Sequence, residues 1–406
     1  MTKSKTTPDA NPSPTTGFHF LQLPGPTNIP ERVLRAMHRP AIDHRGQKFA
    51  DLTRTLLHDI KSVFKTTEEV FLLPSSGSGA GEAAIVNSLS PGDGILMFDS
   101  GQFSLLWIKM ARQFGLDVTV HENDWRRGAS PEEIEATLRE DSAHHIKAVF
   151  VVHNETSTGV TARLPEIRKA MDAAGHPALL IVDTISSLGS LEFEFDEWGI
   201  DIAVGGSQKG LMLPPGLGLN AVSAKACKAA EKATLPKFYW DWNWMRENNK
   251  DGFFPYTPAI SLFYGLREAL DMMSEEGLEN TVARHTRLGT ATRSAVEAWG
   301  MEPICEDPRE YSNSVTAVLF PDGYDVENFR NVMRDDYGLT LGGGLARFQG
   351  RAFRIGHMGH CNELMLLGTL QGIELGLSQI GFAHNHDGAQ AAGRVLSRTP
   401  AAMAAE

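Results

Sequence analysis

Between about residues 45 and 223 the chain alternates short β-rich runs with amphipathic stretches. No other feature constrains the fold as strongly. The runs lie at 70–73, 95–98, 118–121, 148–153, 179–183, 202–205 and 217–223. Several are apolar without interruption, such as VFVV at 149–152 and LLIV at 179–182. Strands covered on both faces need that pattern. The stretches between them, at 105–114, 131–139 and 164–174, have helical spacing. This alternation predicts an α/β fold with a mostly parallel, seven-stranded sheet under helices.

After about residue 235 the pattern changes. Residues 238–258 are aromatic and irregular, and a helical stretch from 260 to 299 breaks near Gly277. Residues 300–382 then hold strand candidates at 315–320 and 352–355, which predicts a smaller α+β domain. A length of 406 residues suits two domains. The expected division is a disordered tail at 1–17, an arm at 18–44, a large domain at 45–275, a small domain at 276–385 and a tail at 386–406.

Ligands in an open parallel sheet sit beyond the carboxyl ends of the strands, and four features collect there. PSSGSGAGEAAI at 74–85 follows a strand and opens a helix. Its small residues suit an anion cradle on free N–H groups, or simply a tight turn with Ser as cap. Asp183 closes an apolar strand, where a carboxylate can hold a protonated ring nitrogen or cap a turn. Lys209 stands in the nearly uncharged GGSQKGLMLPPG, 205–216. Burial would favour the neutral amine that attacks a carbonyl; the alternative is a stem on apolar surface with its head in water. Arg354 in FRIGHMGH, 353–360, sits in a short apolar strand and needs an anion. A bidentate carboxylate or a structural ion pair would serve. Taken together, a phosphate cradle, a carboxylate, a lysine and an arginine are the parts of a pyridoxal-phosphate enzyme.

The chain also resembles the class-V, fold-type-I pyridoxal-phosphate aminotransferases, and within them the serine–glyoxylate aminotransferase family. The matching blocks include LPGPTNIPERVLRAM (23–37), GQFSLLW (101–107), VVHNETSTGVT (151–161), HPALLIVDTISSLGS (176–190), GSQKGLMLPPGLGLNAVS (206–223), FFPYTPAISLFYGLREAL (253–270) and FRIGHMG (353–359). The likeness covers about residues 20–380. It implies that Lys209 is the Schiff-base lysine and that Gln208, Ser76, Gly77 and Ser78 hold the phosphate. It implies further that Phe103 stacks on the ring, Thr156 bonds near its hydroxyl, Asp183 pairs with its nitrogen and Ile185 packs the other face. Arg354 is similar to the arginine for the substrate carboxylate. Thr257 matches a residue that reaches the neighbouring subunit's phosphate, and His44 and Arg45 lie near the partner's site in relatives. A homodimer or larger assembly with shared sites is therefore expected. Relatives usually carry Trp at the position of Gly81, so extra room near the cofactor is expected here.

The implied reaction moves the amino group of L-serine to glyoxylate by a ping-pong route, giving hydroxypyruvate and glycine. Aspartate or alanine as donor is the alternative, with Arg45 a possible extra cation for aspartate. A pyridoxal-phosphate lyase is the alternative of another class; a desulfurase would need a loop cysteine that Cys227, Cys305 and Cys361 do not supply. A nicotinamide dehydrogenase is disfavoured because Glu82 breaks the glycine fingerprint after Gly77 and Gly79. His357, His360, Cys361, His384 and His386 lack a second ligand cluster, so no metal is expected. A net charge of −12 argues against nucleic acid. The absence of a long apolar run and of a signal-peptide core predicts a cytoplasmic protein with no membrane segment.

Overall fold

A computed structural model describes residues 17–398. The tail expected at 1–17 lies outside them, apart from Gly17. Strand β1 (Phe20–Gln22) leads through α1 (Glu31–Met37) and α2 (Gln47–Phe64) into the first large-sheet strand, β2 (Glu69–Leu73). Alternation then follows: α3 (Gly77–Ser88), β3 (Gly94–Asp99), α4 (Gln102–Gln113), β4 (Asp117–Glu122), α5 (Pro131–Glu140) and β5 (Ile146–Val152). A small ribbon, β6 (Asn154–Glu155) with β7 (Val160–Thr161), precedes α6 (Leu164–Ala174), β8 (Leu179–Asp183), β9 (Ile202–Gly206) and β10 (Gly218–Val222). Helices α7 (Ala224–Ala230), α8 (Trp242–Asn249), α9 (Ile260–Glu276) and α10 (Leu278–Ala298) lead into the smaller unit. That unit adds β11 (Val315–Leu319), α11 (Val326–Tyr337), β12 (Leu339–Gly343), β13 (Ala352–Gly356), α12 (Glu363–Gln379) and α13 (Gly388–Leu396).

The large sheet has seven strands in the order β2-β10-β9-β8-β5-β3-β4. Only β10 runs against its neighbours; the other pairs are parallel. The fold is thus the expected α/β architecture. Its central strands are apolar because helices cover both faces: every residue of β8 and β9 is buried. Edge strand β4 instead alternates exposed and half-buried residues. Because β2 and β9 both oppose β10, the carboxyl ends at Leu73, Asp99, Val152, Asp183 and Gly206 share one edge, where the chain enters its loops.

A second sheet, in the order β1-β12-β13-β11, carries a separate apolar core around Phe329, Phe353, Leu366 and Leu370. The arm is therefore anchored: β1 pairs in parallel with β12 of the smaller unit. The stretch from 386 is also more than a tail. Residues 388–396 form α13, which buries Ala392 in this second core. Its AQAAGRVL sequence has too few large apolar residues to announce that contact. Among the described residues no helix is long and apolar enough to cross a membrane.

Candidate active site

The shared edge brings together groups far apart in sequence. Lys209 follows β9, Asp183 ends β8 and Arg354 lies within β13 of the smaller unit. All three are buried, at 9%, 5% and 8% exposure, so each must find partners or lose its charge. Lys209 is not a surface lysine lying over apolar residues. Its Nζ donates to the carbonyl of Pro24 in the arm. Burial, with the charge of Arg354 nearby, pulls its pKa down to about 8, and Asp183 partly opposes that. The amine is thus brought towards the neutral form that a nucleophile or base requires.

Asp183 accepts from two directions. The Ile185 N–H donates to Oδ1 at 2.8 Å and the Trp107 indole N–H to Oδ2 at 2.8 Å. Burial pushes its pKa up to about 6, and the Glu155 charge adds to this. The two donors and Lys209 hold it back. Arg354 donates from Nε to Gly343 O at 2.8 Å and from Nη1 to Thr156 O at 3.0 Å. No carboxylate bonds it, so the structural ion pair considered for this residue is absent among the described residues. Thr156 is buried beside it.

The loop expected to cradle the phosphate opens α3. Ser76 is the N-cap of α3 but its side chain makes no capping bond. The first N–H groups of a helix have no partner within it, and the capping-Ser alternative is not what forms here. The loop lies tight over the sheet. A Cβ on Gly218 would meet Ser75 Oγ at 2.7 Å, and one on Gly77 would meet Ile185 Cδ1 at 2.4 Å. Gly206, whose added Cβ would lie 3.3 Å from Gln208 Oε1 and 3.6 Å from Gly77 Cα, ties Gln208 to the same spot. The buried Gln208 amide oxygen has no partner. Turned over, that amide presents an N–H, because the two ends of an amide are interchangeable by rotation. Free helix N–H groups, Ser78 and an unsatisfied amide fit a phosphate, so the residues present suit the implied cofactor.

Phe103 sits in the first turn of α4, where its N–H and that of Ser104 donate to Glu155 Oε2 at 3.0 and 3.1 Å. Glu155 Oε1 is held in turn by the Ser157 N–H and hydroxyl. This fully buried carboxylate, its pKa raised by burial, fixes where Phe103 stands. Thr257 and Arg45, by contrast, are exposed. Among the described residues the hydrogen bond Arg45 makes is local, from its backbone N–H to the Asp43 carboxylate.

One expectation is corrected. Gly81 does not leave open space: a Cβ there would meet Trp107 at 2.0 and 2.2 Å. The indole already fills the room that the missing side chain vacates. Two further contributors, Trp107 and Glu155, belong to the site but not to the expected set. Both lie inside the matching blocks GQFSLLW and VVHNETSTGVT, yet neither is marked there by its own chemistry. The arm also crosses the site. Thr27 N–H donates to Gln208 O and Thr27 Oγ1 to Lys209 O. Gly25 (φ +97°) passes so close that a Cβ would lie 2.2 Å from Lys209 Cδ.

Comparison with known proteins identifies the family. The family model for class-V aminotransferases matches residues 19–349. A serine–glyoxylate aminotransferase of Methylorubrum extorquens is 51% identical over 96% of this chain and 98% of its own. An L-aspartate–glyoxylate aminotransferase of Paracoccus denitrificans is 44% identical over 88% of this chain and 91% of its own. Among solved structures, pyridoxamine–pyruvate aminotransferase from Mesorhizobium loti superposes with a TM-score of 0.88 at 27% identity, covering 96% of this chain and 98% of that one.

Proposed function

Because the chain belongs to the class-V aminotransferase family, we propose that it transfers the amino group of L-serine to glyoxylate with pyridoxal phosphate, releasing hydroxypyruvate and glycine. The observation that carries this reading is the meeting of Lys209, Asp183 and Arg354, buried on three separate elements, beside the phosphate cradle. The cofactor, when bound, supplies an electron sink for the bond-breaking at Cα. Lys209 is the residue that would hold it, with Ser76, Gly77, Ser78 and Gln208 around its phosphate. Phe103 and Ile185 would flank its ring, Thr156 would stand near its hydroxyl and Asp183 would accept from its nitrogen.

The chain's own residues then account for the rest. Arg354 turns its guanidinium to the carboxylate that donor and acceptor share, a planar match no other cation makes as well. Lys209 Nζ would be the base that takes the proton from Cα of serine and, in the second half-reaction, the acid that delivers one to Cα of the glycine being formed. Glycine and hydroxypyruvate leave from the same place that serine and glyoxylate enter, so the two half-reactions alternate. Thr257 and Arg45, exposed in a single copy, are assigned to the site of a second copy in a homodimer. The three unpaired cysteines suit a cytoplasmic setting.

The Paracoccus relative favours one second reading, aspartate as donor. A panel of L-serine, L-aspartate and L-alanine, each with glyoxylate, decides between them. We expect parallel double-reciprocal lines and kcat/KM for serine at least tenfold above the others. A preference for aspartate would keep the reaction type and overturn the donor.

A further inference from the structure

We propose that Trp107 is a positioning residue for Asp183, and that Gly81 provides the clearance that places its indole there. This rests on the cofactor reading above. The two oxygens of Asp183 are held by donors from different parts of the chain: the Ile185 backbone N–H on Oδ1 and the Trp107 indole N–H on Oδ2, each at 2.8 Å. The indole is itself fixed. It is 1% exposed and lies against Phe150 with ring centroids 5.3 Å apart.

Helix α3 backs both supports. Gly77 and Gly81 are four residues apart and share one face of it. A Cβ on Gly77 would strike Ile185 at 2.4 Å, and one on Gly81 would strike Trp107 at 2.0 Å. The helix that opens the phosphate cradle thus also leaves the two spaces in which the supports of Asp183 sit. A carboxylate held from both sides cannot turn. Each oxygen keeps a second lone pair with which to accept a ring N–H. The charged groups that face Asp183 are Lys209 and Glu155. Among the described residues Trp107 is the side-chain donor to Asp183, which favours the ionised acid that a protonated ring nitrogen needs.

The test uses two probes that cannot bond covalently to Lys209. One is 4-deoxypyridoxine 5′-phosphate; the other is the same molecule with C–H in place of the ring nitrogen. Their affinities are measured by calorimetry on the cofactor-free wild type, Trp107→Phe and Gly81→Ala. The wild type should prefer the pyridine probe. Trp107→Phe keeps the apolar bulk but loses the donor, and should weaken the pyridine probe by roughly tenfold or more, with the carbon probe little changed. Gly81→Ala keeps the donor but crowds it aside, and should show the same selective loss. In the loaded enzyme both variants should lower kcat and leave KM for serine within about twofold. An unchanged preference for the pyridine probe, or an equal loss for both probes, would show that Trp107 only packs. Should Trp107→Phe fail to fold, Gly81→Ala decides alone. A wild type that binds neither probe would overturn the cofactor reading, and this inference with it.

Discussion

Lys209→Ala is expected to abolish turnover, with a loss of roughly 10⁴-fold or more, since one nitrogen serves both as cofactor anchor and as proton carrier. The fold should survive. Lys209 is held by Pro24 O and packs against Gly25, yet its burial already weighs against the charged native form. The pH dependence gives a second handle on the same residue. A lysine whose native pKa is near 8 and whose ordinary value is 10.5 binds fewer protons when folded than when unfolded between those values. Stability of the cofactor-free wild type should therefore rise with pH across that window. Lys209→Ala should lack this rise. Urea midpoints for both proteins from pH 7 to 10.5 measure it. A variant that retained steady-state activity would remove Lys209 from the mechanism. Parallel pH curves would show that the amine is not buried as described.

Arg354→Lys is expected to lower kcat/KM by about 100-fold or more for serine and for glyoxylate alike. Lysine keeps the charge but not the planar fork that meets a carboxylate with two bonds. It would also leave the carbonyls of Gly343 and Thr156 without their present donor. Equal losses are the informative part. A ping-pong enzyme binds both substrates at one site, so the carboxylate of each should depend on the same guanidinium. A loss confined to one substrate would place the second elsewhere.

Much of this site can be read from the sequence because its parts mark themselves locally. Asp183 and Lys209 are charges at the ends of apolar runs, and Ser76, Gly77 and Ser78 are small residues at a strand-to-helix junction. Each departs from what its neighbours predict. The large sheet was legible for a related reason: strands buried on both faces cannot hide their composition. Trp107 and Glu155 are different. A tryptophan on the buried face of α4 and a glutamate after β5 look like ordinary core and capping residues. Only the packing of α3 and α4 against the sheet turns them toward Asp183 and Phe103. The arm was recognisable as LPGPTN, but its path over Lys209 depends on β1 pairing with β12, some 320 residues later in the chain. Gly81 misled for the same reason. A missing side chain reads as space until the residue that occupies that space, Trp107, is placed.

The central claim is that this chain moves an amino group through Lys209 with serine as donor. It is tested most directly by mixing the cofactor-loaded protein with L-serine alone, without glyoxylate, and following its absorbance. The visible band of the lysine-bound cofactor should be replaced by the near-ultraviolet band of the aminated cofactor, with one hydroxypyruvate released per site. Adding glyoxylate should restore the first band and yield glycine. A band that stays unchanged with serine, or that changes without release of hydroxypyruvate, would contradict the account.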